Sequence, residues 1–380
     1  MKICHVCLSC FFVDGRLYQE NELVIQHIAD GHEVTVIAST ETHDSAGSIT
    51  YANEGAYVGV EGANIIRLRY RRWLPGLLMR KLRMHPGLPR LLRSLSPDAI
   101  LFHGAAGWEL LNVARYAKDN PSCAFYIDSH TDFVNSAHGW LSRTILHGLY
   151  YQNILRHAIR VAGPLLCVST SVMDFANKIY RIPMDNMEFF PLGGRPLDDS
   201  KYLSLRSERR HALGLSDANI LVVQSGKQSR AKRLLESIGA FIRTKGDELR
   251  FIIAGVIQED VRAEAETLIM SDDRIKFIGW QDGDALTSLL CAADIYLQPG
   301  TQSATMQHSL CCGCAVILAD IPAHAPYKND NGWFIGNEGE IQSALADARC
   351  ANLTNMGRNS LELARKNLDY RVLAKRVLSK

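Results

Sequence analysis

The sequence has no run of about 18 consecutive apolar residues, the length that a helix needs to cross a membrane. It also has no low-complexity tract, and its only internal repetition is the recurrence of an alternating strand and helix pattern in two halves. The formal net charge is only +2, so no excess of one sign indicates a class of partner. With 47% hydrophobic and 22% charged residues, the 380-residue composition predicts a folded chain, with two domains of about 190 residues each.

The N-terminal cysteines lack the fourth thiolate that an iron–sulfur site needs. Cys4, Cys7 and Cys10 have the C-x2-C-x2-C spacing of half such a motif, but no cysteine follows before Cys123. On a strand, Cys4 and Cys7 would also point to opposite faces. We therefore expect buried structural thiols, and the same holds for the later cysteines in apolar surroundings. This cysteine usage is typical of a reducing cytoplasm rather than of a disulfide framework.

The N-terminal stretch also lacks the small-residue cleavage site of a signal peptide and leads directly into a patterned α/β sequence. Its apolar run, 3–8, predicts a buried parallel strand, followed by a helix at 18–29 and a second strand at 32–37. This is a βαβ unit. Its first loop, which contains Gly15, should lie at the edge where open α/β sheets bind ligands.

The segment 64–97 contains no Asp or Glu but nine Arg or Lys, interleaved with Trp73 and many leucines. Nucleic-acid binding is disfavoured because no aromatic stacking series and no nucleic-acid motif accompany these charges. A basic amphipathic surface that lies on an anionic membrane fits the pattern better. An exposed cationic face without a partner remains the alternative.

The stretch 221–233 combines a strand with a cluster of cations. Its apolar start predicts a strand that breaks at Ser225-Gly226, and Lys227, Arg230 and Lys232 precede a helix that begins near Leu234. Backbone N–H groups at a helix start, together with ammonium groups, form an anion site. A solvated basic helix start is the alternative interpretation.

Gly226-Lys227 followed by Lys232 resembles the G-R-x-x-x-x-K element of retaining nucleotide-sugar glycosyltransferases of the GT-B fold, glycosyltransferase family 4. The resemblance extends over nearly the whole chain. It implies two Rossmann-like, doubly wound parallel-sheet α/β domains that face a central cleft: an acceptor-binding domain at 1–195 and a nucleotide-sugar-binding domain at 196–360. A C-terminal helix at 361–380 would cross back to the first domain. In the family the Arg and Lys hold the donor diphosphate, and here Lys227 replaces the Arg, so a bidentate fork becomes a point charge.

Further family motifs occur in the N-terminal half. The strand predicted at 123–127 ends in Asp128-Ser129-His130, where the family places a histidine beside the reacting carbon of the sugar. His130 is therefore the expected catalytic residue of this half, with a structural histidine as the alternative. His103 and Gly15 are expected on the acceptor side. The sequence FFPLGGRPLDD resembles the family's interdomain linker, which would hinge near 192–200.

In the C-terminal half, the turn Gly279, Trp280 and Gln281 corresponds to the family's base-binding turn. The E-x7-E motif has lost both acids: His308 takes the place of the second Glu, and the first falls on Gly300 or Ser303, depending on the direction of counting. The remaining donor-binding candidates around this predicted helix start, with amides suited to phosphate, are Gln302, Ser303, Ala304, Thr305 and Met306.

The resemblance implies sugar transfer from a nucleoside-diphosphate sugar, UDP- or GDP-linked, with retention of configuration. Lys227 and Lys232 would stabilise the leaving diphosphate, so that neither a metal nor another cofactor is needed. With the basic segment, we expect a lipid-linked saccharide acceptor, a role in cell-surface polysaccharide synthesis, and a peripheral location on the cytoplasmic face of a membrane, without nucleic acid. A non-catalytic nucleotide-sugar-binding subunit is the alternative that the missing acids suggest, and an epimerase is a third.

Overall fold

The structure, a computed structural model, describes residues 1–16, 18–44 and 48–378. The chain folds into two units. The first comprises Met1–Pro191 together with Tyr370–Lys380, and the second comprises Leu192–Asp369. The chain therefore passes between units at the LGG sequence of the expected linker and again after Asp369, whereas the expected boundaries are 195 and 360.

The elements alternate between strand and helix along most of the described chain. The strands are β1 (Lys2–Cys7), β2 (Glu33–Ser39), β3 (Glu41–His43), β4 (Ile49–Tyr51), β5 (Gly55–Val58), β6 (Asn64–Leu68), β7 (Ala99–Phe102), β8 (Ala124–Ser129), β9 (Leu165–Cys167), β10 (Met187–Phe189), β11 (Ile220–Gln228), β12 (Leu249–Ile257), β13 (Ile275–Phe277), β14 (Ile295–Gln298), β15 (Ala315–Ala319) and β16 (Gly332–Ile335). The α-helices are α1 (Gln19–Ala29), α2 (Gly76–Leu82), α3 (Leu88–Leu95), α4 (Glu109–Asp119), α5 (Gln152–Ala158), α6 (Thr170–Tyr180), α7 (Asp199–Ala212), α8 (Leu234–Arg243), α9 (Arg262–Met270), α10 (Gly283–Ala292), α11 (Ala304–Cys311), α12 (Glu338–Asp347), α13 (Leu353–Asn367) and α14 (Tyr370–Arg376). Ser142–Tyr151 is π-helical, and one-turn 3-10 segments occur at Met184–Asn186, Arg230–Lys232 and Ala325–Tyr327.

The first unit is built on a sheet with the strand order β10-β9-β8-β7-β1-β2-β6-β5. All neighbours pair in parallel except β5, which runs antiparallel to β6. The central strands are buried nearly throughout, as expected for a sheet covered on both faces. The terminal helix α14 completes this core, because Leu373 and Ala374 pack with Ile3 and Leu23.

The second unit has a fully parallel sheet with the order β13-β12-β11-β14-β15-β16. Several of its helices begin with a side-chain cap, as at Asp282 before α10 and Ser303 before α11. The two doubly wound parallel-sheet units confirm the predicted α/β fold class. Within the described residues, no helix is both long enough and apolar enough to cross a membrane.

Two strands run further than the sequence pattern indicates. The strand β11 continues past the predicted break, because Gly226, Lys227 and Gln228 still pair in register with β12. Strand β8 likewise extends to Ser129, which places Asp128 inside the sheet. The prediction of a turn at Ser225-Gly226 is therefore wrong: the glycine lies in the strand with φ +115°, and the turn follows Gln228.

The basic segment 64–97 lies only partly on the surface. Arg67 is buried, and its guanidinium donates to Tyr57 Oη and to the carbonyls of Phe12 and Ser39, so it is not part of an exposed cationic face. Leu88 and Leu92 of α3 are also buried. The surface part is narrower and runs approximately from Arg71 to Lys81. The expected burial of the cysteines is confirmed for all but Cys10, which is half-buried, and Cys350, which is exposed.

Buried histidines make the first unit sensitive to acid. Burial lowers the pKa of His27 to about 4, of His85 to about 3 and of His147 to about 4. Below pH 6.5 these histidines bind protons in the unfolded chain but stay neutral in the folded chain. The free energy of unfolding therefore falls as the pH drops from about 6.5 towards 4. We expect each histidine to lower the free energy of unfolding by up to about 1.4 kcal/mol per pH unit in that window.

Urea unfolding at several pH values between 4.5 and 7.5 measures this slope. His147→Phe should flatten the slope, because Phe can pack against the neighbouring Tyr151 and Phe175 rings without titrating. The exposed His211→Ala is the matched control and should leave the slope unchanged. Equal slopes in all three proteins would contradict this assignment.

Candidate functional site

Near the carboxyl ends of β11 and β12, two paired glycines leave a stretch of backbone that carries no side chains. Gly226 pairs with Gly255, both have φ +115°, and a Cβ on Gly255 would lie 2.0 Å from the Gly226 carbonyl oxygen. Only glycine fits at Gly255. The next residue, Lys227, is exposed, and its ammonium has no hydrogen-bond or ionic partner among residues 1–16, 18–44 and 48–378.

Lys232 lies in the 3-10 turn that links β11 to α8. Its Nζ donates to the carbonyl oxygens of Thr301 (2.6 Å) and Gln302 (2.9 Å), in the loop that precedes α11. Burial lowers the pKa of this ammonium to about 8. No carboxylate in the described part of the chain pairs with Lys232, so one N–H and most of its charge remain available to an anion.

The start of α11 carries a hydroxyl network. Ser303 Oγ caps the helix by accepting from the Met306 amide (3.3 Å), and Thr305 Oγ1 lies 2.8 Å from Tyr296 Oη. Because the cap uses the Met306 amide and the Met306 side chain is buried, Met306 offers no group to a ligand. The amides of Ala304 and Thr305 are the ones left at the positive end of the helix.

Gly300 and His308, two of the positions that correspond to the family's acids, differ in how much room they leave for a side chain. A Cβ on Gly300 would lie 2.2 Å from the Ala231 carbonyl oxygen, so a Glu cannot fit there without movement of the 230–232 turn. His308 faces α10, with Nε2 3.1 Å from Thr287 Oγ1, and Thr287 donates its own proton to the Gly283 carbonyl. His308 Nε2 is therefore the donor in this contact. Burial lowers its pKa, so the ring is neutral and Nδ1 is an acceptor.

Other predicted donor-site residues are engaged locally. Arg230 contacts Asp260 through its backbone amide and guanidinium, which ties it to the loop after β12. Gln302 donates to Tyr327 Oη (2.9 Å), and Gln281 donates to the carbonyl of Ile278 (3.2 Å). In the same turn, Gly279 has φ +71° and accepts from the Gly255 amide, and Trp280 is exposed.

The first unit holds the other predicted catalytic residue. His130 follows β8, is 40% exposed, and its Nε2 lies 3.7 Å from Oδ1 of the buried Asp128. Asp128 also accepts from the Gly104 amide (2.8 Å) and from His103 Nδ1 (2.5 Å). Burial alone would raise the pKa of Asp128, but the charge of His103 and its hydrogen bond lower it below the ordinary value. The Asp128 carboxylate is therefore held in place by these contacts, close to the His130 ring.

Of the two acceptor-side predictions, the one for His103 needs correction, and the one for Gly15 stays a prediction. His103 is buried, and both of its ring nitrogens are engaged, by Asp128 and by His5, so it has no nitrogen left for an acceptor. The reason is that His103 continues from β7 and lies between β1 and β8, which the sequence pattern did not reveal. Gly15 lies in an exposed turn with φ +74°, and its amide donates to Glu61 Oε1.

A cavity of about 640 Å³ opens in the first unit at the carboxyl ends of β1 and β7. The residues that line it include Arg80, Lys81, Arg83 and Gly104, and the one acidic residue among the described lining residues is Glu41. Glu41 already pairs with Arg80. The cavity is therefore cationic, and an anionic ligand fits it.

Three residues of the site are absent from the sequence-based predictions: Asp128, Tyr296 and Thr287. Asp128 could have been predicted from its spacing, since it lies two residues before His130 and would point to the same side of a strand. The other two have no pattern, because their roles arise from contacts between elements far apart in sequence. Among the described residues there is no group of three or more His, Cys, Asp or Glu that could hold a metal ion.

Comparison with protein families assigns both halves of the chain. Residues 21–193 match the sequence model described as Glycosyltransferase Family 4, and residues 219–355 match the one described as Glycosyl transferases group 1. Comparison with curated protein sequences gives no match. The two family matches support the resemblance stated above and favour the enzyme over the non-catalytic subunit.

Solved structures of the same architecture are similar over nearly the whole chain. The structure of Anabaena Alr3699/HepE in complex with UDP has 15% identity and a TM-score of 0.63, covering 99% of this chain and 98% of that one. WaaG, a glycosyltransferase involved in lipopolysaccharide biosynthesis, has 15% identity and a TM-score of 0.62, with the same coverage. The catalytic domain of starch synthase IV from Arabidopsis thaliana, bound to ADP and acarbose, has 14% identity, a TM-score of 0.66 and full coverage of both chains.

These neighbours show the fold, which is the GT-B architecture of two Rossmann-like units. The family matches define the class: the chain is a glycosyltransferase. More particularly, its N-terminal half is similar to Glycosyltransferase Family 4 and its C-terminal half to Glycosyl transferases group 1.

Proposed function

We propose that the protein transfers a sugar, with retention of configuration, from a UDP- or GDP-linked donor to a lipid-linked saccharide acceptor in cell-surface polysaccharide synthesis. The observation that carries the donor assignment is Lys232. A half-buried ammonium without a carboxylate partner among the described residues, held against the loop before α11, costs stability unless an anion binds it.

The donor diphosphate would lie between this ammonium and the start of α11. The free amides of Ala304 and Thr305 supply the positive end of a helix, and the exposed Lys227 adds a second cation. Gly226 leaves the approach open, since a Cβ there would meet only Thr305 Oγ1, at 3.8 Å. These charges stabilise a leaving diphosphate without a metal ion or other cofactor.

The nucleoside would extend along the same edge of the sheet. The neutral His308, with Nδ1 as an acceptor, suits a ribose hydroxyl, and the turn Gly279, Trp280 and Gln281 suits the base. The HepE structures with UDP and with UDP-glucose, at 15% and 17% identity, support a uridine nucleotide as the first donor to test.

A panel of UDP-glucose, GDP-mannose, ADP-glucose and dTDP-glucose in a thermal-shift assay tests this function. One of them should raise the melting temperature of the wild-type protein, because a ligand that binds the folded state stabilises it. The double variant Lys227→Ala/Lys232→Ala should lose that shift. A wild-type melting temperature unmoved by every nucleotide and nucleotide sugar would refute the donor site.

The acceptor assignment is supported by the first unit. Its cationic cavity fits the phosphate of a lipid-linked saccharide. Nearby, Trp73, which precedes α2, is 66% exposed, and Leu77 on α2 is 76% exposed. Leu74 and Leu78 are also exposed, beside Arg71, Arg72 and Lys81. We call these residues the apolar–basic surface: Arg71, Arg72, Trp73, Leu74, Leu77, Leu78 and Lys81.

A second exposed apolar segment adjoins this surface. Trp140 is 71% exposed, and Leu141 is also exposed, as are Ile145 and Leu149 of the π-helical turns that follow. Tyr150 and Tyr151, in the same segment, donate to the carbonyls of Leu82 and Lys81, which fixes it next to α2. Exposed apolar side chains beside basic residues are typical of a surface that binds an anionic leaflet. We therefore propose a peripheral location on the cytoplasmic face of a membrane.

Replacing Arg71, Arg72 and Lys81 by Ser should reduce binding to anionic liposomes by about tenfold to a hundredfold, since each basic residue near such a surface contributes ~1 kcal/mol. Arg80 is kept, because it pairs with the buried Glu41. Vesicle flotation measures the effect. Arg90, Arg93 and Lys118, changed together to Ser, remove the same charge elsewhere and are the control. If the wild-type protein does not float with anionic vesicles at low salt, the membrane proposal is wrong.

A further inference from the structure

Three buried histidines and an aspartate form a continuous chain of hydrogen bonds through the core of the first unit. His5 lies in the middle, on β1, with Nδ1 2.9 Å from His103 Nε2 and Nε2 3.0 Å from His27 Nδ1. At one end His27 Nε2 lies 3.0 Å from the carbonyl oxygen of Ala374 on α14. At the other end His103 Nδ1 lies 2.5 Å from Asp128 Oδ2. The four side chains are exposed by 2% or less.

The proton positions follow from the carbonyl at the end. A carbonyl only accepts, so His27 carries its proton on Nε2 and, being neutral, accepts at Nδ1 from His5 Nε2–H. His5 must then accept at Nδ1 from His103 Nε2–H. His103 therefore has one proton on Nε2, while its Nδ1 faces a carboxylate oxygen at hydrogen-bond distance. This last contact needs one proton more than three neutral imidazoles supply.

The surroundings locate the extra proton on His103. Burial alone would lower the pKa of His103, but the charge of Asp128 and the hydrogen bond to it raise the pKa above its ordinary value. Glu20 on α1 adds a further negative charge near His103. Burial, with the neighbouring His27 and His103, keeps the pKa of His5 well below its ordinary value, so His5 stays neutral. Near His27 stand His32 and Asp30, whose effects on its pKa oppose each other.

We propose that His5, His27 and His103 are positioning residues, which hold Asp128 as a carboxylate beside the ring of His130, 3.7 Å from its Nε2. The polarity of the chain is set by the carbonyl of Ala374, so the position of α14 is linked through three imidazoles to the Asp128 carboxylate on β8. The catalytic consequence rests on the function proposed for His130, whereas the arrangement of protons does not.

The protons are observable directly. In protein labelled with ¹⁵N-histidine, at pH 7.5, NMR should show His5 and His27 protonated on Nε2 only and His103 protonated on both nitrogens. Loss of each signal in the corresponding His→Gln variant assigns the resonances. A His103 that is neutral at pH 7.5, or a His5 protonated on Nδ1, would overturn the proposed chain whatever reaction the protein catalyses.

The positioning role is tested by breaking the chain at its middle. His5→Leu fills the space but can neither accept from His103 nor donate to His27. We expect the pH profile of donor hydrolysis to shift by about one unit, which is about tenfold in rate at a fixed pH on its flank, while the donor Kd measured by calorimetry stays within about twofold. The substrate is whichever of UDP-glucose and GDP-mannose stabilises the protein.

His5→Gln keeps one acceptor and donors in the side chain and should recover part of the wild-type profile. The exposed His211→Leu is the matched control and should not change it. A wild-type profile in His5→Leu, with the NMR pattern as described, would refute the positioning role and leave the proposed function intact. Failure of the wild type to bind any nucleotide sugar would refute the proposed function instead.

Discussion

Lys232→Ala is expected to weaken binding of the donor by about tenfold to a hundredfold. The reason is that the ammonium supplies a charge-assisted hydrogen bond to the diphosphate, and such a bond contributes about 1.5–3 kcal/mol. Calorimetry with the nucleotide sugar gives the dissociation constant. Because burial lowers the pKa of Lys232 to about 8 in the free protein, wild-type affinity should also decline as the pH rises through 8, where the ammonium loses its proton.

Two controls separate charge from structure. Lys232→Met keeps the apolar stem of the side chain and should lose affinity to a similar extent, while Lys245→Ala removes an exposed lysine of the same unit and should change nothing. The pH dependence should disappear in Lys232→Met. If the Lys232 variants bind the donor as tightly as the wild type, the diphosphate does not lie at this lysine.

His130→Ala is expected to lower turnover by about a hundredfold or more while the affinity for the nucleotide barely changes. The family resemblance places this histidine beside the reacting carbon, and the structure gives it a fixed carboxylate at 3.7 Å and an exposed ring. Slow background hydrolysis of the donor provides a rate even before the acceptor is known, and the loss appears in kcat rather than in KM.

His308→Ala should show the reverse, with weaker nucleotide binding and a smaller change in turnover at saturation, because its Nδ1 is proposed as a ribose contact. His157, exposed on α5 of the same unit and outside the cavity lining, offers the matched control for His130: His157→Ala removes an exposed ring and should leave turnover unchanged. A His130→Ala enzyme that turns over at the wild-type rate would leave His130 with a structural role only.

Much of the fold could be predicted from the sequence because its strands are buried on both faces and appear as short apolar runs. The runs at β1, β7 and β14 are of this kind, and the glycines and acids between them mark the turns. Strand ends were less certain. The sequence pattern predicts a turn at Gly226, yet this residue stays in register with Gly255, since pairing between parallel strands depends on a partner distant in sequence.

The candidate site, like the fold, was predictable only in part from the sequence. Lys227, Lys232 and His130 followed from short motifs in which spacing along the chain carries the information. The partners of these residues did not: the carbonyls around Lys232 belong to a loop about seventy residues later, and His5, in an otherwise apolar strand, gave no sign of a buried chain from Asp128 to α14. Lateral neighbours in a parallel sheet are set by topology, so no local pattern encodes them.

The most direct test of the central claim follows a labelled sugar. Wild-type protein is mixed with the radiolabelled nucleotide sugar that it binds and with lipid-linked saccharides in anionic vesicles, and the organic phase is counted. The account predicts that label enters the lipid fraction, with one nucleoside diphosphate released per sugar transferred, and that His130→Ala and Lys232→Ala reduce this transfer. A protein that binds the nucleotide sugar but neither transfers nor hydrolyses it, with or without His130, would contradict the account.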